Sequence, residues 1–220
     1  MPPVRTLGQL LEDEHLLTWI RDAVGGLHAY AAAGAEKQGK RLAMAVTCTG
    51  CTAKKTCCHS KVVARLYEGI LVASDLVDAG RDTPELREQL RAAAEAMETT
   101  PPRDWRRPCV FLDERERCTV YAVRPVPCGA VLVYTNPTLC TTRAAPIKAY
   151  IPNEEYAAAT AFEEQFRERF ALRKKVGRRY LGVLPRMVLV ALEAWHRTDF
   201  RDYLRQLSWP SDEDIEQQRA

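Results

Sequence analysis

Apolar residues recur at intervals of three and four over most of this chain, and that period predicts helices. Thr6 followed by Gln9 has the form of a capping box and opens a helix over 6–24, with Leu10, Leu11, Leu17 and Ile20 on one face. Gly25-Gly26 is expected to end or kink it. A second alanine-rich stretch runs to about Ala33, and Gly34 to Gly39 reads as a loop. Over 61–79, Val63, Leu66, Ile70 and Val77 mark another helix, with Gly80 as its C′ residue. Thr83-Pro84 supplies an N-cap and N1 pair for a helix over 84–98, whose stripe is Leu86, Leu90, Ala94 and Met97.

Beyond Pro101-Pro102 the period shortens. Cys109 to Leu112 and Cys118 to Tyr121 flank a polar turn, Asp113 to Arg117, which predicts a short β-hairpin. Arg124-Pro125-Val126-Pro127-Cys128 is expected to be rigid, non-helical chain. Val131 to Tyr134 reads as one more strand. From Asn153 the helical period returns: Phe162, Phe166 and Phe170 stand four apart, and Pro185 opens a helix that buries Met187, Leu189, Leu192 and Trp195. Thr198 or Asp199 caps a last helix with Phe200, Tyr203 and Leu204 inward, followed by a polar tail over 210–220.

The expected fold class is mostly α, formally α+β: a helical domain with a small β-hairpin and cysteine-rich metal-binding loops. Residues 1–220 read as a single domain, with a cysteine-cluster core over 48–128, Cys140 beyond it, and C-terminal helices over 153–207.

Composition narrows the function classes. A net charge of +3 does not point to a nucleic-acid partner. The basic run Arg173 to Arg179 has no interleaved aromatic residue and reads as a solvated turn. No apolar run is long enough to span a membrane, so no membrane partner is expected. No secretory signal is visible in the opening residues. No G-x-G, G-x-S-x-G or H-E-x-x-H occurs, which leaves open whether the chain is an enzyme at all.

Cysteine changes the picture. The chain holds eight: Cys48-x-x-Cys51, then Cys57-Cys58, then Cys109, Cys118, Cys128 and Cys140. Without an export signal they are expected in the reducing cytoplasm, where thiols favour metal ligation over disulfides. Cys48-x-x-Cys51 lets the chain turn so that both sulfurs face one ion. Adjacent side chains diverge in extended backbone, so Cys57 and Cys58 serve one centre only in a tight turn, and otherwise reach two ions or bridge them. Four thiolates suit zinc, and the same donors suit iron or an iron–sulfur cluster. His59 is a possible further ligand beside enough sulfur without it, and Cys140 stands evenly between an eighth ligand and a free thiol. Arg124, between two cysteines in rigid chain, is expected to hold a buried place behind them. Tyr121 and Trp105 are expected to wall the site from water, and His15, His28 and His196, isolated in the sequence, to be helix-surface or core residues.

The elements Cys48-x-x-Cys51…Cys57-Cys58, Cys109-Val-Phe-Leu112 and Cys118-x-Val-Tyr121-x-x-Arg124-Pro125-x-x-Cys128 resemble the YkgJ-type cysteine-cluster proteins, the CxxCxxCC family. The resemblance spans about residues 48–128. It implies chelation of zinc or iron through Cys48, Cys51, Cys57, Cys58, Cys109, Cys118 and Cys128. Some relatives are linked to flagellin lysine N-methylation through an iron–sulfur centre. The chain departs from the pattern in its five-residue gap before Cys57, in Val110 where many relatives have proline, and in Gly129 where many have arginine. Three functions follow: a cytoplasmic metal-binding protein, an iron–sulfur-dependent protein-modifying enzyme, or a metal-stapled interaction module.

Overall fold

The computed structural model describes residues 5–13, 15–48, 56–142, 145–172 and 180–209. The chain is mostly helical with one small sheet. In order its elements are α1 (Leu7–Asp13), α2 (Leu16–Leu42), β1 (Val63–Arg65), α3 (Leu66–Asp78), α4 (Pro84–Thr99), α5 (Val126–Ala130), α6 (Thr138–Thr142), α7 (Asn153–Arg169), β2 (Leu181–Val183), α8 (Leu184–Trp195) and α9 (Phe200–Gln206). No helix among the described residues is long and apolar enough to cross a membrane.

The capping box at Thr6 forms as expected. Its backbone N–H donates to Gln9 Oε1 at 3.0 Å, and the Gln9 N–H donates back to Thr6 Oγ1 at 3.3 Å. The helix does not break at Gly25-Gly26. It breaks at His15, which takes a left-handed φ of 52°, and α2 then runs unbroken through both glycines and through 34–39. Packing explains the missing loop. A Cβ on Gly34 would stand 2.2 Å from Tyr150 Oη, so glycine there admits a neighbouring segment instead of ending the helix.

The span 61–79 divides. Its first residues form β1, paired antiparallel with β2 in the register Val63↔Val183, Ala64↔Gly182 and Arg65↔Leu181. The ladder continues outside the strands, with Leu66 N–H donating to Tyr180 O at 2.8 Å and Leu184 N–H to Val62 O at 2.9 Å. Helix α3 ends as predicted: Gly80 has φ +64°, its N–H donates to Val77 O, and Arg81 N–H donates to Leu76 O at 2.7 Å. Thr83 Oγ1 caps α4 by accepting from Leu86 N–H at 3.2 Å.

The expected 109–121 hairpin is reduced to a single bridge, Leu112↔Cys118. Asp113 explains its tightness: its Oδ1 accepts from Arg115 and Arg117 N–H at 2.9 and 2.8 Å. Tyr121–Val123 is a 3₁₀ turn rather than the end of a strand. Val133 likewise makes only a bridge, to Ala149. The small sheet of this fold is therefore β1–β2, made of segments far apart in sequence.

The core runs from Leu7 in α1 to Trp209 beyond α9. The aromatic stripe of α7 is inward as predicted: Tyr67 meets Phe162 edge-on at 4.9 Å, and Phe166 stacks on Phe170 at 4.3 Å. Met187, Leu189, Leu192 and Trp195 of α8 are buried, as are Phe200 and Leu204 of α9. Asp199 precedes α9 but makes no side-chain cap. Its carboxylate instead holds the Arg197 guanidinium, with contacts of 2.9 and 2.7 Å.

A charged group sits under the sheet. Arg65 is buried, donates to Thr160 Oγ1 at 2.9 Å and faces Glu163 Oε2 at 3.3 Å. Glu163 Oε1 accepts from Tyr180 N–H at 3.0 Å, just before β2. Buried charge persists only when paired and hydrogen-bonded, so these contacts fix the ends of both strands against α7.

Candidate metal centre

Local folding brings the cysteines toward one region. Cys57 and Cys58 lie in a 3₁₀ turn, Thr56–His59. That is the tight turn that lets neighbouring side chains share a site, and their thiols are hydrogen-bonded to each other. Cys109 N–H donates to Cys58 O at 2.8 Å, tying this turn to the bridged loop. Across that loop, Cys118 pairs with Leu112, three residues beyond Cys109. Cys128 arrives from α5 and Cys140 from α6, which packs beside the 57–58 turn. Cys48 Sγ accepts the Val133 N–H at 3.3 Å, and the neighbouring Thr47 hydroxyl donates to Val133 O and Thr135 O.

The seven described cysteines all line one cavity of about 1430 Å³. None is in a disulfide. Within the cavity, five form the closer group. Cys58 is pushed far above the ordinary thiol range by its hydrogen bond to Cys57, then by burial, then by Cys57, Cys109 and Cys118. Burial, followed by Cys109, Glu68, Cys118 and Cys57, does the same to Cys128. Burial raises Cys109, and Cys118 adds to it. Cys128 is exposed at the cavity. Among the described residues, no three Cys, His, Asp or Glu side chains are drawn into a closed coordination sphere. Cys51, with Lys54 and Lys55, lies outside the described residues, as do the basic run 173–179 and the tail 210–220.

The model of the CxxCxxCC family, "Putative zinc- or iron-chelating domain", matches residues 47–155. Residues 47–155 belong to the CxxCxxCC family. The domain thus extends past Cys128 to take in Cys140 and the start of α7. No curated protein and no solved structure matches the chain.

The CxxCxxCC domain has supports that its cysteine spacing does not announce. Glu68, in the first turn of α3, is 1 % exposed. Its Oε2 accepts from Arg65 N–H and its Oε1 from Val126 N–H, both at 2.6 Å. Burial raises its pKa against the pull of Arg65 and of those two N–H groups. The sequence signal was a lone acid inside the apolar run Leu66 to Val72.

His28 lies half-buried on α2. Its Nε2–H donates to Pro125 O at 3.2 Å, and its ring fills the space beside Gly129, where a Cβ would come within 2.8 Å. This accounts physically for glycine after Cys128: α2 packs where a longer side chain would stand. Arg124 is half-buried, stacks on the Tyr121 ring at 3.9 Å and reaches the cavity. Tyr121 itself is 61 % exposed, so it does not seal the site. Trp105 is buried, but in a separate cluster with Ala94, Met97 and Val183. His59 Nε2 lies 3.9 Å from Glu116 Oε1 and makes no hydrogen bond.

Proposed function

We propose that this chain is a cytoplasmic metal-binding protein whose CxxCxxCC domain coordinates zinc or iron through cysteine thiolates. The observation that carries the reading is the convergence of seven described cysteines on one cavity, five of them close enough to perturb one another's protonation. As a donor set, thiolates suit zinc, iron and iron–sulfur clusters better than hard cations. Cys57, Cys58, Cys109, Cys118 and Cys128 would hold the ion, with Cys48, Cys51 and Cys140 completing the set or holding a second one. A bound ion would supply charge neutralisation and cross-linking to loops that carry little ladder of their own.

The thiols of Cys58, Cys109 and Cys128 are held above the ordinary range, so metal binding there displaces protons. Titrating the reduced chain with cobalt(II) is the test. A thiolate-to-cobalt charge-transfer band that zinc then abolishes is the expected result; a titration without that band contradicts the reading.

The size of the cavity favours a second reading, an iron–sulfur-dependent protein-modifying enzyme. About 1430 Å³ exceeds what an ion needs and exceeds the roughly 300–1,000 Å³ of common small-molecule sites. Beyond the sulfurs its walls include Lys61, Glu98, Arg186, Val190 and Trp209. An iron–sulfur visible spectrum bleached by dithionite distinguishes this reading from a colourless zinc protein.

A further inference from the structure

We infer that Glu68 is the positioning residue for the Cys128 arm of the cysteine site, one carboxylate fixing both the start of α3 and the chain that delivers that sulfur. As a role in a metal site, this rests on the metal-binding reading above.

The inference starts from the sequence Arg124-Pro125-Val126-Pro127-Cys128. Proline has no backbone N–H, so Val126 carries the single backbone donor among residues 125–127. Glu68 Oε1 takes it at 2.6 Å. The other oxygen, Oε2, takes Arg65 N–H at 2.6 Å, where β1 passes into α3. Two proline rings restrict the segment's torsions, and this hydrogen bond, together with that of His28 to Pro125 O, sets where the restricted segment lies. Cys128 N–H then closes onto Pro125 O at 3.0 Å, so the sulfur's position follows from that of residues 125 and 126. Val126 is fully buried, which leaves its N–H no water as an alternative partner.

One feature argues against a purely local capping role. An acid at N3 needs only the N-cap N–H to complete its half of a capping box, yet here the second oxygen spans to a residue 58 positions away.

The test is site-resolved alkylation of the metal-free, reduced chain by iodoacetamide, followed by mass spectrometry, in the unaltered protein and in Glu68→Gln. Cys128 labelling is expected to accelerate roughly tenfold, the scale of one lost hydrogen bond to a charged group, with Cys58 and Cys109 rates unchanged. Val126→Pro removes the donor from the other side at a first-turn helix position where proline is tolerated. It should give the same selective change, and the double variant no more than either alone. Equal acceleration at all three cysteines, or none at Cys128, overturns the inference. Where the variants do not fold, amide exchange in the unaltered chain decides: Val126 N–H is expected among the slowly exchanging amides, and rapid exchange overturns the role. The two readings fail separately. A missing cobalt band in the unaltered chain counts against metal binding alone, and unselective alkylation counts against Glu68 alone.

Discussion

The backbone N–H of Cys109 donates to the carbonyl of Cys58 at 2.8 Å. This bond joins the two halves of the cysteine pattern, which the sequence separates by helices α3 and α4. The sulfurs of the second half therefore reach the first through main-chain contact, before any ion is added.

Serine in place of Cys58 or Cys109 should consequently remove metal binding while leaving the helices folded. Serine keeps the size of the side chain and discards the soft donor. Zinc affinity should fall more than about 100-fold, beyond the 10–100-fold typical of residues behind a ligand. Cys140→Ser decides the place of Cys140: a comparable loss makes it a ligand, and an unchanged affinity excludes it from the donor set. Competition titration with a chromogenic chelator measures all three.

Metal removal should lower thermal stability. Among the described residues, the 101–150 segment is built of isolated bridges and short helical turns rather than paired strands or long helices, so a bound ion adds cross-links there. At a metal concentration of about 100 Kd, binding contributes about 2.7 kcal/mol. For a chain of this size that corresponds to a Tm shift of roughly 5–11 °C. Calorimetry with and without a chelator should show it, with loss of helix signal following loss of the loops. An unchanged Tm would mean that the loops are held without metal.

His28 should make stability fall on acidification. Burial depresses its pKa below the ordinary 6.5, and Arg124 adds to the depression, while the hydrogen bond to Pro125 opposes it. The unfolded chain then takes up this proton first as pH falls. The stability contributed by neutral His28 is present above about 6.5 and is lost as pH drops toward the folded-state value. Urea midpoints measured across this window should decline less in His28→Gln than in the unaltered protein. Equal declines would remove His28 as the cause.

Helix α2 separates glycines that packing needs from glycines it does not. Nothing lies within 4 Å of a Cβ placed on Gly25 or Gly26. Alanine at either should stabilise the protein by roughly 0.5–1 kcal/mol. Gly34→Ala should destabilise it by about 1–3 kcal/mol, because Tyr150 Oη occupies that space while donating to Glu155 Oε1. Thermal unfolding of the three single variants checks both signs.

That contrast also marks what the sequence could reveal. Helix starts and stops with local chemistry, such as Thr6–Gln9, Thr83-Pro84 and Gly80, were legible because their partners lie within a few residues. The continuity of α2 was not, since tertiary packing overrode the propensity of its glycines. Nor was the β1–β2 pairing: three-residue strands show too few alternations to read, and their partner is set by the α3–α8 fold around them. The cysteine pattern stood out because thiolates are scarce and their spacing is chemically constrained. Glu68 and Arg65 did not, because an acid or a base in a helical stretch is ordinarily at the surface, and these two are buried only by tertiary packing.

The most direct measurement is elemental analysis of the full chain purified without oxygen and without added metal, read beside its visible spectrum. The account predicts at least about one zinc or iron per chain, colourless for zinc and thiolate-coloured for iron. Protein that is folded, reduced and essentially free of both metals, and that stays so after incubation with either, would contradict it.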